Sequence, residues 1–287
     1  MPDPRDAAVV AADAARVAAL ALIEDGTDDV TSRVTVAAAQ QGVGVIEGRA
    51  ALIMAGRAYA DAVIAACGLD RVEWSVADGD HLSAPTVLGT MRGPLRAILR
   101  AERPLLNLLQ RACGVATMTR QYVDAVAGTN CRVLHTRKTT PGLRTFEVHA
   151  VLAGGGALHR TDLATTVMVK DNHWQALRAS GRSLREALAE AAASGVTGLQ
   201  VEVESVGQLD EAVAAGATRL LIDNQTPETV RAWATRARTA RPTIEIEATG
   251  GITLATIGAY AEAGADYVST GALTHSVVAA DLGLEIR

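Results

Sequence analysis

A turn used three times in the C-terminal half constrains this chain most. A glycine between small residues, followed by a polar or small one, closes an alanine-rich stretch and introduces a short apolar run. Ser194-Gly195-Val196-Thr197 precedes 199–204, Ala215-Gly216-Ala217-Thr218 precedes 220–223, and Ala263-Gly264-Ala265-Asp266 precedes 267–270. Glycine adopts the left-handed conformation that ends a helix, and each apolar run has the length of a strand. Helix starts complete the unit: Ser205-Val206-Gly207-Gln208 reads as a capping box, Thr226-Pro227-Glu228 as an N-cap with proline at the first helical position, and Thr253 as a further N-cap. Strands alternating with helices of this length imply a parallel sheet or barrel.

Further strands at 132–135, 166–170 and 243–247 bring the count to six between Cys131 and Thr270, so the expected fold is α/β with an incomplete (β/α) barrel. The first hundred residues differ. Their apolar runs are shorter and are broken by the turn-like Ala77-Asp78-Gly79-Asp80 and Arg92-Gly93-Pro94. We expect an N-terminal α+β domain at 1–105 and a barrel domain at 106–287, with a helical pattern over 105–127 joining them. The stretch 7–23 is apolar but carries Asp13 and Arg16, as an amphipathic helix does.

Composition excludes several partners. Aromatic residues make up 3% of the 287 and the net charge is -5, so neither a base-stacking platform nor a broad basic face for nucleic acid is expected. The three cysteines, Cys67, Cys113 and Cys131, lack metal-site spacing and form an odd set, which fits a reducing, cytoplasmic setting. The acidic opening Met1-Pro2-Asp3-Pro4-Arg5-Asp6 lacks a secretory pattern, and no window approaches 18 apolar residues, so no membrane span is expected.

Cations gather where strands are expected to end: Arg137-Lys138, His159-Arg160 after the Gly154-Gly155-Gly156 turn, and Lys170. One such residue alone reads as surface charge, but the set at one barrel mouth of an acidic protein calls for an anionic ligand. Glu202 and Asp223 occupy equivalent strand ends, where carboxylates beside bound phosphates hold Mg²⁺ or pair with the neighbouring cations. Thr249-Gly250-Gly251-Ile252-Thr253 and Ser269-Thr270-Gly271-Ala272 follow the last two strands, the usual place for a barrel's phosphate site. His173 reads as structural and His275 as a phosphate donor. No Gly-x-Ser-x-Gly, Walker or Rossmann fingerprint occurs.

Taken together, Thr136-Arg137-Lys138-Thr139-Thr140-Pro141-Gly142-Leu143-Arg144, the triple glycine with His159-Arg160, and Lys170-Asp171-Asn172-His173 resemble the quinolinate phosphoribosyltransferase family. Glu102-Arg103 with Leu106-Asn107, Gly114-Val115-Ala116-Thr117, Val201-Glu202-Val203-Glu204, Asp223-Asn224, Thr249-Gly250-Gly251 and Gly271-Ala272-Leu273-Thr274-His275-Ser276 follow in the family's order. Glu24-Asp25 through Asp29-Val30-Thr31 is similar to its N-terminal signature.

The resemblance implies an N-terminal α/β sandwich domain and an incomplete barrel in a homodimer or an assembly of dimers; the C-terminal tail is expected to return to the N-terminal domain. It implies the substrates quinolinate and phosphoribosyl pyrophosphate, with Mg²⁺. By similarity Arg103, Arg137, Lys138, His159, Arg160 and Lys170 bind the pyridine dicarboxylate and phosphates. Lys138, Glu202 and Asp223 serve catalysis, the two carboxylates at the ribose and Mg²⁺-pyrophosphate, while Thr249, Gly250, Gly251, Gly271 and His275 hold the 5′-phosphate. Arg103, in the joining segment, is expected to act on the neighbouring subunit's site. The sequence departs from the usual pattern at Asp28, Val148-His149, Leu158 and Thr270. Because Val148 and Leu158 flank the basic cluster, a family member acting on another base, of the molybdenum-operon type, remains an alternative reading, as does a non-catalytic phosphate-binding relative.

Overall fold

Three turn glycines behave as their sequence context demands: Gly195, Gly216 and Gly264 have φ of 83°, 99° and 94°. Each closes a helix and releases the chain into a strand. A computed structural model describes residues 3–26 and 28–287. The opening residues Met1 and Pro2, and Thr27 within the N-terminal signature, lie outside the described residues. In chain order the strands are β1 Gln41–Gly48, β2 Leu52–Ile53, β3 Glu73–Trp74, β4 His81–Leu82, β5 Thr86–Pro94, β6 Arg132–Leu134, β7 Thr166–Val169, β8 Gly198–Val203, β9 Arg219–Asp223, β10 Glu245–Thr249, β11 Tyr267–Ser269 and β12 Leu282–Ile286. The chain divides into two units, one of residues 3–120, 138–156 and 273–287, the other of 121–137 and 157–272.

In the first unit β1, β5 and β3 form an antiparallel sheet whose far edge is β12, paired with β1 from Gly44↔Ile286 to Gly48↔Leu282. The C-terminal tail thus belongs to the N-terminal sheet. Helix Ala7–Glu24 buries Val10, Ala14, Val17, Ala18 and Leu22 and packs against helix Arg57–Ala66. That one-sided stripe is the amphipathic pattern expected for it. Asp80 N–H donates to the Ala77 carbonyl in the first expected turn, but Arg92-Gly93-Pro94 is no turn: it completes β5, opposite Gln41–Val43. Glycine is needed there for close approach, since a Cβ at Gly93 would lie 2.6 Å from Leu69 Cδ2.

The expected domain boundary after residue 105 falls inside a helix. Helix Leu95–Asp124 runs through it for 30 residues. Leu95, Ile98, Ala101, Leu105, Leu109, Ala112, Val115 and Ala116 are all buried at helical spacing, so nothing in the apolar stripe ends the helix at 105. It also starts ten residues before the pattern expected over 105–127.

The second unit is a six-stranded parallel sheet in the order β6-β11-β10-β9-β8-β7. Sequential strands pair from β7 to β11, and β11 then pairs with β6, leaving β6 and β7 as the two edges, the strand order of an incomplete barrel. Beside β6, Ala157 bridges to Leu134 in parallel. β10 begins two residues later than expected because Pro242 lies in a turn in which Ile244 N–H donates to Arg241 O. Thr249, expected in the following turn, is therefore the last residue of the strand. Thr226 caps helix Pro227–Ala240 and Ser205 caps helix Val206–Ala215, as expected. Thr253 is not an N-cap; it closes a turn with Thr256, and the helix begins at Ile257.

Candidate active site

Side chains alternate faces along a strand, so register decides which of them converge. Glu202 pairs with Leu221, Leu221 with Glu247, and Asp223 with Thr249. Glu202, Asp223, Glu247 and Thr249 therefore share one face of the sheet, with Arg219 and Glu245 on the same face further towards the strand starts. Lys170 follows β7 immediately and its Nζ pairs with the Glu202 carboxylate. Glu202 is 7% exposed, and its carbonyl accepts a 2.8 Å hydrogen bond from Trp174 Nε1. The cation and carboxylate expected at these strand ends are thus paired with each other. His173 is structural, as expected: its Nδ1 accepts from Lys170 N–H at 3.0 Å and caps helix Asp171–Ser180.

The basic residues of this unit are crowded together. Arg160, partly buried, has its charged form disfavoured first by burial and then by the Arg137 guanidinium, with Glu247 and Glu202 opposing. Arg137 Nε is buried and makes no hydrogen bond among the described residues. Two guanidiniums held together with an unused buried donor favour an anionic partner, because such donors are costly to leave unpaired. His159, which follows the bridge at Ala157, sets its Nε2 3.2 Å from Glu247 Oε2.

Glu247 is the main functional candidate that sequence reasoning missed. It is fully buried, and its carboxylate also accepts from Ser269 Oγ at 2.6 Å and Arg219 Nη1 at 3.2 Å. Burial pushes its carboxyl up, but His159, Ser269 and Arg219 together hold it below the ordinary value. The signal available was an alternating Glu245-Ile246-Glu247 inside an otherwise apolar strand.

The glycine turn after β10 is built for close approach. At Gly250, with φ of 83°, a Cβ would lie 2.7 Å from Asn224 N and closer still to its side chain, while at Gly251, with φ of 61°, a Cβ would meet open space. Asn224 itself has φ of 52° and donates its N–H to Thr249 O at 3.0 Å, tying the ends of β9 and β10 together. Its side-chain amide donates to Asp223 Oδ2 at 2.5 Å. Gly250→Ala is expected to lower stability by about 1–3 kcal/mol through left-handed backbone strain and this clash; urea unfolding reads the loss, and an unchanged midpoint would mean that the turn is not held as described. Gly271 is buried and follows β11 after Thr270, whose Oγ1 donates to Ile252 O at 3.3 Å and so links the two expected phosphate turns.

Three expected site residues belong to the first unit. Lys138 is exposed, and its carbonyl accepts from Thr274 Oγ1 at 2.7 Å. His275 is exposed, with Nδ1 2.7 Å from Ser276 Oγ. Arg103 is exposed on helix Leu95–Asp124 and makes no hydrogen bond or ion pair among the described residues. Val148, expected to flank the basic cluster, is 0% exposed on helix Arg144–Ala153. Leu158, adjacent to His159, is partly exposed.

Comparison with known proteins places this geometry. Residues 115–285 match the model of the quinolinate phosphoribosyl transferase C-terminal domain, and residues 29–113 that of the N-terminal domain. A Mycobacterium leprae nicotinate-nucleotide pyrophosphorylase (carboxylating) is 38% identical over 90% of this chain and 91% of its own. A Bacillus subtilis protein described as a probable nicotinate-nucleotide pyrophosphorylase (carboxylating) is 44% identical over 73% of this chain and 71% of its own. The structure of the nicotinate-nucleotide pyrophosphorylase from Francisella tularensis superposes with a TM-score of 0.89 at 30% identity, covering 96% of this chain and 97% of that one.

Proposed function

The chain belongs to the quinolinate phosphoribosyltransferase family, and from that premise we propose that it transfers the phosphoribosyl group of phosphoribosyl pyrophosphate to quinolinate with loss of CO₂, forming nicotinate mononucleotide and pyrophosphate for NAD biosynthesis. The observation that carries this reading is the Arg137–Arg160 pair with its unpartnered buried Nε, a site deficient in negative charge until an anion enters. A dicarboxylate supplies two.

In the reaction the pyridine nitrogen attacks C1 of the ribose as the C1–O bond to pyrophosphate breaks, with positive charge developing on the sugar ring. Little covalent chemistry falls to the protein. It holds the nitrogen in line with C1, stabilises the departing charge and excludes water. Arg137, Arg160 and His159 take the pyridine carboxylates, and Lys138, next in the chain to Arg137, adds a cation. Glu202 and Asp223, on the same sheet face, lie where a cationic ribose is favoured. Gly250 and Gly251 with Thr249 offer close backbone approach to the 5′-phosphate, assisted by Gly271 and His275. The carboxylate leaves C2 as CO₂, its electron pair staying beside a ring nitrogen that now carries the sugar and is cationic; a proton then replaces it.

The donor chemistry also fits Mg²⁺ carried on the pyrophosphate, since that ion takes one or two protein carboxylates and fills its other positions with water and phosphate oxygens. Glu202 and Asp223 would hold it, directly or through water, and it would neutralise leaving-group charge. Arg103, exposed and without a partner among the described residues, supports a homodimer in which each subunit lends this cation to its neighbour. A cytoplasmic location is part of the same reading, supported by three unpaired cysteines. Among the described residues no helix is long and apolar enough to cross a membrane.

Quinolinate is expected to be turned over with release of CO₂ and pyrophosphate, and nicotinate to be a poor substrate, because the excess of cations suits two carboxylates better than one. Rates compared side by side at equal concentration check this. A faster reaction with nicotinate would make the dicarboxylate assignment wrong.

A further inference from the structure

We infer that Glu247 is a positioning residue for the pyridine substrate, acting through His159, whose ring it locks with Nε2 turned inward so that Nδ1 faces the ligand. The inference rests on the proposed reaction but concerns a residue outside its binding set. It begins from an imbalance. A fully buried carboxylate needs partners, and Ser269 Oγ at 2.6 Å with Arg219 Nη1 at 3.2 Å already provide them. Arg219 is anchored on a second side by Glu245, at 2.8 Å, and its guanidinium lies 4.0 Å from the centroid of the Tyr267 ring. The strand network is thus complete without histidine.

Yet His159, 88 residues away in sequence, brings its Nε2 to 3.2 Å from the same carboxylate. Its side chain is 6% exposed, and the His135 ring stands edge-on to it with centroids 6.4 Å apart. An imidazole whose Nε2–H is donated to a carboxylate has a fixed tautomer and ring plane. Its other nitrogen, Nδ1, makes no hydrogen bond among the described residues and is left for an incoming group. Protonated, that nitrogen donates to a substrate carboxylate while Glu247 offsets the added charge. Glu247 also counters the neighbouring Arg160, so one buried anion organises both basic residues that follow Ala157.

The deciding measurements use the full chain. Nitrogen-15 NMR of the histidine-labelled protein, with the His159 signal assigned by its absence from His159→Gln, should show a ring protonated at Nε2; a ring whose Nε2 carries no proton overturns the inference. This readout is independent of the substrate, so it separates failure of the inference from failure of the functional reading. Glu247→Gln should raise KM for quinolinate about tenfold, as expected for a weakened hydrogen bond to a charged group, with KM for phosphoribosyl pyrophosphate within about twofold of wild type. In a His159→Ala background the same substitution should add less than about twofold, because residues acting as one unit are not additive. Equal rises in both KM values, or full additivity with His159→Ala, would mean that Glu247 only holds the fold. Should Glu247→Gln not fold, Ser269→Ala removes one donor from the carboxylate and must give the same selective, smaller rise in quinolinate KM; a rise in both constants overturns the inference there too.

Discussion

Arg103→Ala and Asp223→Ala proteins, each nearly inactive alone, should recover up to about a quarter of wild-type turnover when unfolded and refolded together, as expected for an isologous dimer with two independent sites. The reasoning is geometric. Asp223 ends β9 inside the barrel unit, whereas Arg103 is an exposed cation on a long helix with no partner among the described residues. If Arg103 serves the neighbouring subunit, a mixed dimer has one site with neither substitution and one with both. Random pairing makes half the dimers mixed, and one site in two of those is intact. Each mutant refolded alone is the control. Mass spectrometry that confirms mixed dimers while activity stays absent would show that Arg103 serves its own chain or only supports the helix.

Arg160→Ala should lower kcat/KM most among the single substitutions in the cation cluster. Truncating one partner of a desolvated charge pair costs roughly 2–5 kcal/mol, which is about 30-fold to a few thousandfold in catalytic efficiency. The partly buried Arg160, crowded by Arg137, belongs near the upper end. Lys138→Ala belongs near the lower end, because Lys138 is exposed and meets water before substrate arrives. Steady-state kinetics of both variants, with thermal unfolding to confirm the fold, reads the difference. Losses below threefold at both positions would reduce the cluster to surface charge.

Much of this architecture is legible in the sequence, because glycine turns and helix caps are local chemistry. Gly195, Gly216, Gly264, Ser205 and Thr226 announce the barrel's rhythm without reference to anything distant. The same locality explains the placement of Lys170, Glu202 and Asp223 at or beside strand ends. What escapes is decided by contacts far along the chain. Arg92-Gly93-Pro94 reads as a turn until Leu69 is seen pressing on the glycine. The full burial of Val148 is set by the packing of its helix, which its neighbours in sequence do not reveal. Glu247 looks like the polar half of a strand, since nothing near it in sequence foretells His159, Arg219 or Ser269 as partners. The length of helix Leu95–Asp124 escapes for a related reason: its apolar stripe carries it across residue 105, through the expected boundary.

The place of β12 at the edge of the first sheet has a consequence for biosynthesis. As the chain leaves the ribosome, β1 and β5 emerge early, but the strand that covers the other side of β1 appears only after the whole barrel has been made. Until then β1 offers a row of unpaired backbone groups to any other nascent chain, the kind of edge through which proteins aggregate or swap strands. The barrel unit, although second in sequence, is complete before β12 is made. The part of the molecule that starts first is therefore the part that finishes last, and its exposed interval lasts as long as translation of the barrel.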